Sequence, residues 1–275
     1  MSVFLSREQM WDMPLGGSSE GKQIPHWCGN ILWAVIGAVC KLLFRYRVDG
    51  RENIRSLQGK TGCVIVGNHT SYLDVVFFYL AVRTKQWIRL MGRDSLFETG
   101  GGLGGQILSR VGAFPVKRGS ADRTSVKRAV AMLKRGEVVG IYPEGTRRGK
   151  GSQKPELHSG GAFIARMGKA PLVPATVRNA EKVKVKGKFF RFPKITVEFG
   201  EPIEVSEFDF LPKEDRLDGC TWYVMRECYA LSRRCAPEEV DMCALFPDGR
   251  DFTDVFRGVE IRRGAKALRE EGAAA

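Results

Sequence analysis

The sequence predicts an α/β protein, and three stretches carry that prediction. Residues 63–66 (Cys63-Val64-Ile65-Val66) form a short apolar, largely β-branched run, the pattern of a buried strand. Gly67 and Asn68 break the run, and residues 71–80 then read as a helix. Residues 138–142 form a second apolar strand that ends at Pro143, where a glycine-hinged loop begins.

Later elements extend the pattern. Residues 195–203 alternate apolar and polar side chains and stop at Gly200 and Pro202, as a strand does. Residues 217–234 read as a helix that Pro237 ends. Lys182, Lys184 and Lys186 alternate with Val183 and Val185, which predicts a strand with one basic face. Such a face, with Phe189, Phe190 and Phe192 beside it, suits an anionic interface, an edge strand protected by lysines, or RNA. From Ala236 onward only short pieces are legible, and residues 262–275 read as a frayed, charged tail.

Chemistry concentrates on the two strand ends. Asn68-His69-Thr70-Ser71-Tyr72-Leu73-Asp74 offers a histidine and, five residues on, a carboxylate. On a regular helix those two positions diverge by about 140°, so a bend must bring them together. An imidazole titrates near working pH and serves as a general base, and a carboxylate on its other nitrogen fixes the tautomer. No serine in a nucleophile-elbow context accompanies the pair, so the attacking hydroxyl is expected to come from a substrate. Tyr142-Pro143-Glu144-Gly145-Thr146-Arg147 supplies the second half. A guanidinium grips a phosphate in two places, a threonine adds a hydroxyl, and a glycine allows close backbone approach.

With those residues in view, the chain resembles the glycerolipid acyltransferases of the 1-acyl-glycerol-3-phosphate type. Four blocks recur in order: His69 to Asp74, Gly112-Ala113-Phe114-Pro115-Val116-Lys117-Arg118, Glu144 to Arg147, and Ala170-Pro171-Leu172-Val173-Pro174-Ala175. The resemblance implies an α/β domain with a mixed sheet flanked by helices. It implies that His69 deprotonates a lysophospholipid hydroxyl, which attacks the thioester of acyl-CoA or acyl-acyl carrier protein, and that Asp74 orients His69. It implies that Lys117, Arg118, Glu144, Gly145, Thr146 and Arg147 hold the glycerol phosphate. Another lysophospholipid or a glycolipid is the alternative acceptor, and a non-enzymatic basic membrane-binding protein is the alternative class. No cofactor or metal is expected.

Composition bears on location. A formal charge of +13 over 275 residues attracts polyanions. No nucleic-acid motif is present, and the apolar stretch at residues 31–44, followed by Arg45, Arg47 and Arg51, favours an anionic membrane surface over nucleic acid. As a helix it runs about 21 Å, short of the ~30 Å hydrocarbon core. It is expected to lie in one leaflet, with a core helix and a longer span from Trp27 as the alternatives. The expected organisation is a lead-in over 1–26, a membrane-associated helix over 27–47, a catalytic domain over 48–210 and a helical extension over 211–275. The catalytic domain is expected on the cytoplasmic face of a membrane, peripheral or monotopic.

Two negative readings complete the sequence. The glycine run at residues 100–105 lacks the lysine and hydroxyl residue of a nucleotide loop. Seven cysteines include no closely spaced pair, so neither zinc nor a redox dithiol is indicated, and a reducing compartment fits.

Overall fold

The computed structural model describes residues 5–15, 23–82, 87–117, 122–147, 155–184 and 191–274. In chain order the elements are α1 (Arg7–Asp12), α2 (His26–Phe44), β1 (Arg47–Asp49), α3 (Arg51–Arg55), β2 (Cys63–Gly67), α4 (Leu73–Val82), β3 (Ile88–Arg93), α5 (Leu103–Arg110) and β4 (Phe114–Val116). There follow α6 (Arg123–Lys134), β5 (Val138–Ile141), α7 (Gly160–Gly168), β6 (Leu172–Arg178), β7 (Thr196–Phe199), α8 (Arg216–Arg233), α9 (Met242–Leu245) and α10 (Lys266–Ala274). The seven strands form one sheet in the order β1-β7-β6-β2-β5-β3-β4.

The sheet is mixed, as the family resemblance implies. β6, β2, β5, β3 and β4 run parallel, while β7 pairs antiparallel with β6 and carries β1 parallel to itself. β2 is buried along its whole length, which is why it reads as an unbroken apolar run. Its side chains alternate between two cores. Val64 and Val66 face a core built with Met132, Ile164, Tyr223 and Cys228, from α6, α7 and α8. Cys63 and Ile65 face the other, with Phe44, Ile54, Phe77 and Phe78, from α2, α3 and α4. α8 therefore shares a core with the central strand.

The N-terminal lead-in contains structure that composition did not reveal. Ser6 caps α1 through a reciprocal pair of bonds with Gln9. The Trp11 indole donates to Ser109 Oγ at 2.8 Å, and Arg89 Nη2 donates to the Trp11 carbonyl at 2.9 Å. These long-range partners fix the segment, and no local periodicity announces them.

One prediction fails. Residues 180–182 form a single 3₁₀ turn and 183–184 a bend, so the alternating lysines do not begin a strand. Asn179, with φ of 71°, ends β6 in the left-handed region and turns the chain before the alternation starts. Lys186, Lys188, Phe189 and Phe190 lie outside the described residues. The C-terminal tail differs too: residues 266–274 are helical rather than frayed. α8 ends at a left-handed Arg234, three residues before the proline expected to stop it. Cys220 and Cys228 on that helix are buried thiols, whereas Cys243 beyond it is exposed.

α2 spans 19 residues, and no described helix is long and apolar enough to cross a membrane. The glycine run turns the chain: Gly100, Gly101 and Gly102 all take positive φ, and Gly102 opens α5.

Candidate active site

β2 and β5 are hydrogen-bonded neighbours in parallel register, with Val66 opposite Ile141. The loops that leave them therefore emerge side by side at the carboxyl edge of the sheet, where open α/β sheets bind ligands. Two motifs about 70 residues apart in sequence meet for that reason.

Residues 68–71 are non-helical, and α4 begins at Leu73 with Asp74 in its first turn. That supplies the required bend. Asp74 is fully buried, and its Oδ2 accepts the backbone N–H groups of Thr70 and Ser71, each at 2.7 Å. Oδ2 also stands 3.1 Å from His69 Nδ1. The carboxylate thus organises the start of α4 and the imidazole with the same oxygen. With Asp74 accepting, Nδ1 carries the proton and Nε2 holds the lone pair. The His69 side chain is 13% exposed, so one part of the ring reaches the surface.

Two further contacts hold His69. Its ring stacks on Tyr142 with centroids 4.3 Å apart and planes 26° apart. Its backbone N–H donates to Glu144 Oε2 at 3.0 Å. Burial, then the Asp74 charge, pushes the Tyr142 phenol well above its ordinary pKa, so that ring stays neutral. Glu144 is 3% exposed, and its Oε1 accepts from the Tyr229 hydroxyl of α8. Its carboxylate is therefore engaged by protein donors on both oxygens.

The second loop turns tightly. Gly145 N–H donates to the Tyr142 carbonyl at 3.0 Å, and Thr146 N–H to the Glu144 carbonyl at 2.6 Å. Gly145 has φ of 63°, and a Cβ there would come within 3.2 Å of the His158 ring. The Arg147 guanidinium lies 3.2 Å from the centroid of the Tyr72 ring. A guanidinium over a ring face can still offer N–H groups to an anion. Arg147 thus joins the His69 motif through Tyr72, itself a member of that motif.

Lys117 is placed differently. It follows β4, three strands from β2 and about 14 Å away at the usual ~4.8 Å strand spacing. Its side chain is exposed, and its backbone N–H donates to Asp122 Oδ2 at 2.9 Å. It shares the carboxyl edge with His69, at the far end of the same row. Arg118 lies outside the described residues.

Three tyrosines around the site carried no role in the sequence reading. Tyr72 and Tyr142 sit inside the two motifs, where an aromatic beside a histidine or arginine was the available signal. Tyr229 had none, because it is 85 residues from Glu144. Among the described residues, no cluster of histidine, cysteine or carboxylate side chains could hold a metal ion.

A histidine–aspartate pair beside an arginine loop, at the carboxyl edge of a mixed α/β sheet, can take a proton from a hydroxyl next to a bound anion, as the acyl transfer implied by the sequence resemblance requires. Comparison with known proteins specifies the family. The acyltransferase family model matches residues 45–178. A 1-acyl-sn-glycerol-3-phosphate acyltransferase of Bacillus subtilis is 34% identical over 194 residues, covering 70% of this chain and 89% of the relative. The human 1-acyl-sn-glycerol-3-phosphate acyltransferase beta is 31% identical over 173 residues, covering 60% of this chain and 59% of the relative. The crystal structure of the 1-acyl-sn-glycerophosphate acyltransferase PlsC of Thermotoga maritima superposes with a TM-score of 0.53 at 20% identity, covering 74% of this chain and 80% of that one. This last likeness is one of fold. The chain belongs to the acyltransferase family, among the 1-acyl-sn-glycerol-3-phosphate acyltransferases.

Proposed function

We propose that the protein transfers an acyl group from acyl-CoA or acyl-acyl carrier protein to the sn-2 hydroxyl of 1-acyl-glycerol-3-phosphate, giving phosphatidic acid. The observation that carries this reading is His69 Nδ1 held 3.1 Å from Asp74, with Asp74 itself fixed by two backbone N–H groups. His69 Nε2 takes the acceptor's hydroxyl proton as its oxygen bonds to the thioester carbonyl carbon. The carbon–sulfur bond then breaks, and the imidazolium returns the proton to the leaving thiolate. The proton balance closes with no acyl-enzyme and no cofactor. Asp74 stabilises the charge that His69 carries in between.

Arg147 is assigned to the acceptor phosphate, with the Gly145 and Thr146 turn beside it. Lys117 and Arg118 are assigned to the acidic part of a substrate reaching along the sheet edge. Glu144 is assigned to holding the His69 backbone from below.

The same proposal puts the enzyme on the cytoplasmic face of an anionic membrane, peripheral or monotopic. Support comes from α2, where Trp27, Ile31, Val35 and Leu42 form an exposed apolar row; Trp27 is 61% exposed and Leu42 80%. Arg45 and Arg47 follow directly and suit anionic headgroups.

The test is thiol release from acyl-CoA in detergent, with and without 1-acyl-glycerol-3-phosphate, for the wild type and His69→Ala. Acceptor-dependent release that the variant lacks is the expected result. Release without acceptor would mark a thioesterase and overturn the assignment. Parallel arms with acyl-acyl carrier protein and with other lysophospholipids identify the donor and the acceptor.

A further inference from the structure

We infer that Tyr229 is a positioning residue for His69, acting through Glu144. The inference rests on the acyl-transfer reading above and adds to it a residue that lies outside the 45–178 family match. Glu144 is the link: one carboxylate oxygen accepts the Tyr229 hydroxyl, and the other accepts the His69 backbone N–H. A carboxylate buried this deeply must be met by donors. Donors on opposite oxygens fix the plane of the group. That plane fixes the His69 backbone, and with it the angle from which the imidazole meets Asp74 and Tyr142.

A neighbouring contact supports the same role. Cys228, the residue before Tyr229, donates from Sγ to the Val66 carbonyl at 3.2 Å. Successive α8 residues therefore grip the end of β2 and the loop after β5, the two strands that carry the site. Tyr229 is itself well held: it is 5% exposed, its ring packs edge-on to Phe246, and Arg233 lies over it at 5.7 Å. A hydroxyl on so fixed a ring is a fixed point from which to orient a carboxylate. Glu144 thereby acts on the protein's own backbone, and α8 becomes part of the catalytic apparatus.

The experiment uses the full chain with Tyr229→Phe, which keeps the ring and removes only the hydroxyl. Steady-state transfer to 1-acyl-glycerol-3-phosphate should show kcat lowered about tenfold, the effect in rate of losing one charge-assisted hydrogen bond. KM for the acceptor should change less than about twofold. Adding Tyr229→Phe to Glu144→Gln should cost little more than Glu144→Gln alone, because both interrupt one chain of contacts. A kcat equal to that of the wild type would overturn the inference, as would a rise in KM alone or an additive double variant. Amide hydrogen exchange supplies a readout independent of turnover. In Tyr229→Phe the His69 amide should exchange about tenfold faster, while those of Val64 to Val66 stay unchanged. Unchanged protection at His69 would reject the inference even if another acceptor proved to be the substrate.

Discussion

His69 lies face to face with Tyr142, ring centroids 4.3 Å apart, and the Tyr142 hydroxyl is buried without a hydrogen bond to any described residue. The ring and the hydroxyl thus make opposite contributions. The ring holds the imidazole plane, while the hydroxyl is a desolvated group with nothing gained in return. Tyr142→Phe should keep kcat within about twofold and leave thermal stability equal or raised by about 1 kcal/mol. Tyr142→Ala should lower kcat at least tenfold by releasing the imidazole. Equal kinetics for the two variants would show that the stack does not orient His69.

Arg147 over Tyr72 links the two motifs by a cation–π contact. Arg147→Ala should raise KM for a phosphate-bearing acceptor about tenfold or more while kcat changes less, if Arg147 grips the phosphate as proposed. Tyr72→Leu should produce a smaller loss in the same direction, about 1 kcal/mol in kcat/KM, the size of an exposed cation–π pair. Comparison with a phosphate-free acceptor checks the assignment: its turnover should be insensitive to Arg147→Ala.

The fully buried Arg89 has its Nε 3.5 Å from Glu137 Oε2, and Glu137 Oε1 also accepts from Leu15 N–H at 3.2 Å and Arg135 Nε at 3.0 Å. Burial pulls the Arg89 guanidinium down to about 10, against the pull of Glu137 in the other direction, so it is still charged at neutral pH. Glu137→Gln would strand that charge and should cost about 3 kcal/mol of stability, read by denaturant unfolding. It should also loosen residues 11–15, visible as faster amide exchange there. A cost near zero would refute the pairing.

Asp122 ties Lys117 to the start of α6. Burial pushes its carboxyl up, but bonds from Lys117, Ser125 and Thr124 outweigh burial and hold it below the ordinary 3.8. A carboxylate whose folded pKa is depressed contributes stability above its unfolded value, and that contribution is lost as pH falls through the folded value. Asp122→Ala should cost about 1 kcal/mol at pH 7, as loss of a helix N-cap does. The gap between variant and wild type should narrow as pH falls through the folded value. A gap that persists in acid would assign the effect to packing instead.

The exposed row on α2 predicts sedimentation with vesicles containing anionic lipid. Replacing Val35 and Leu42 by glutamate should weaken binding at least tenfold, from lost apolar burial and added repulsion. Thermal stability should hold, because both side chains face outward. Binding that survives would assign the attraction to the basic surface alone.

The sequence by itself determined β2, β5 and β7, the two loops and the residues they carry. A buried strand must be continuously apolar, and a loop that does chemistry must contain the groups for it; both signals are local. The mixed character of the sheet and the family were legible from four motifs in order. Residue spacing could not decide what the sheet register placed together. β2 beside β5 sets His69 over Tyr142 and against Glu144, and α8, packed against β6 and β2, brings Tyr229 to that carboxylate. The basic alternation from Lys182 misled for the same reason: the left-handed turn at Asn179 overrode a local pattern. Local sequence selects backbone geometry and chemistry, whereas burial and pairing between distant segments select which of those groups meet.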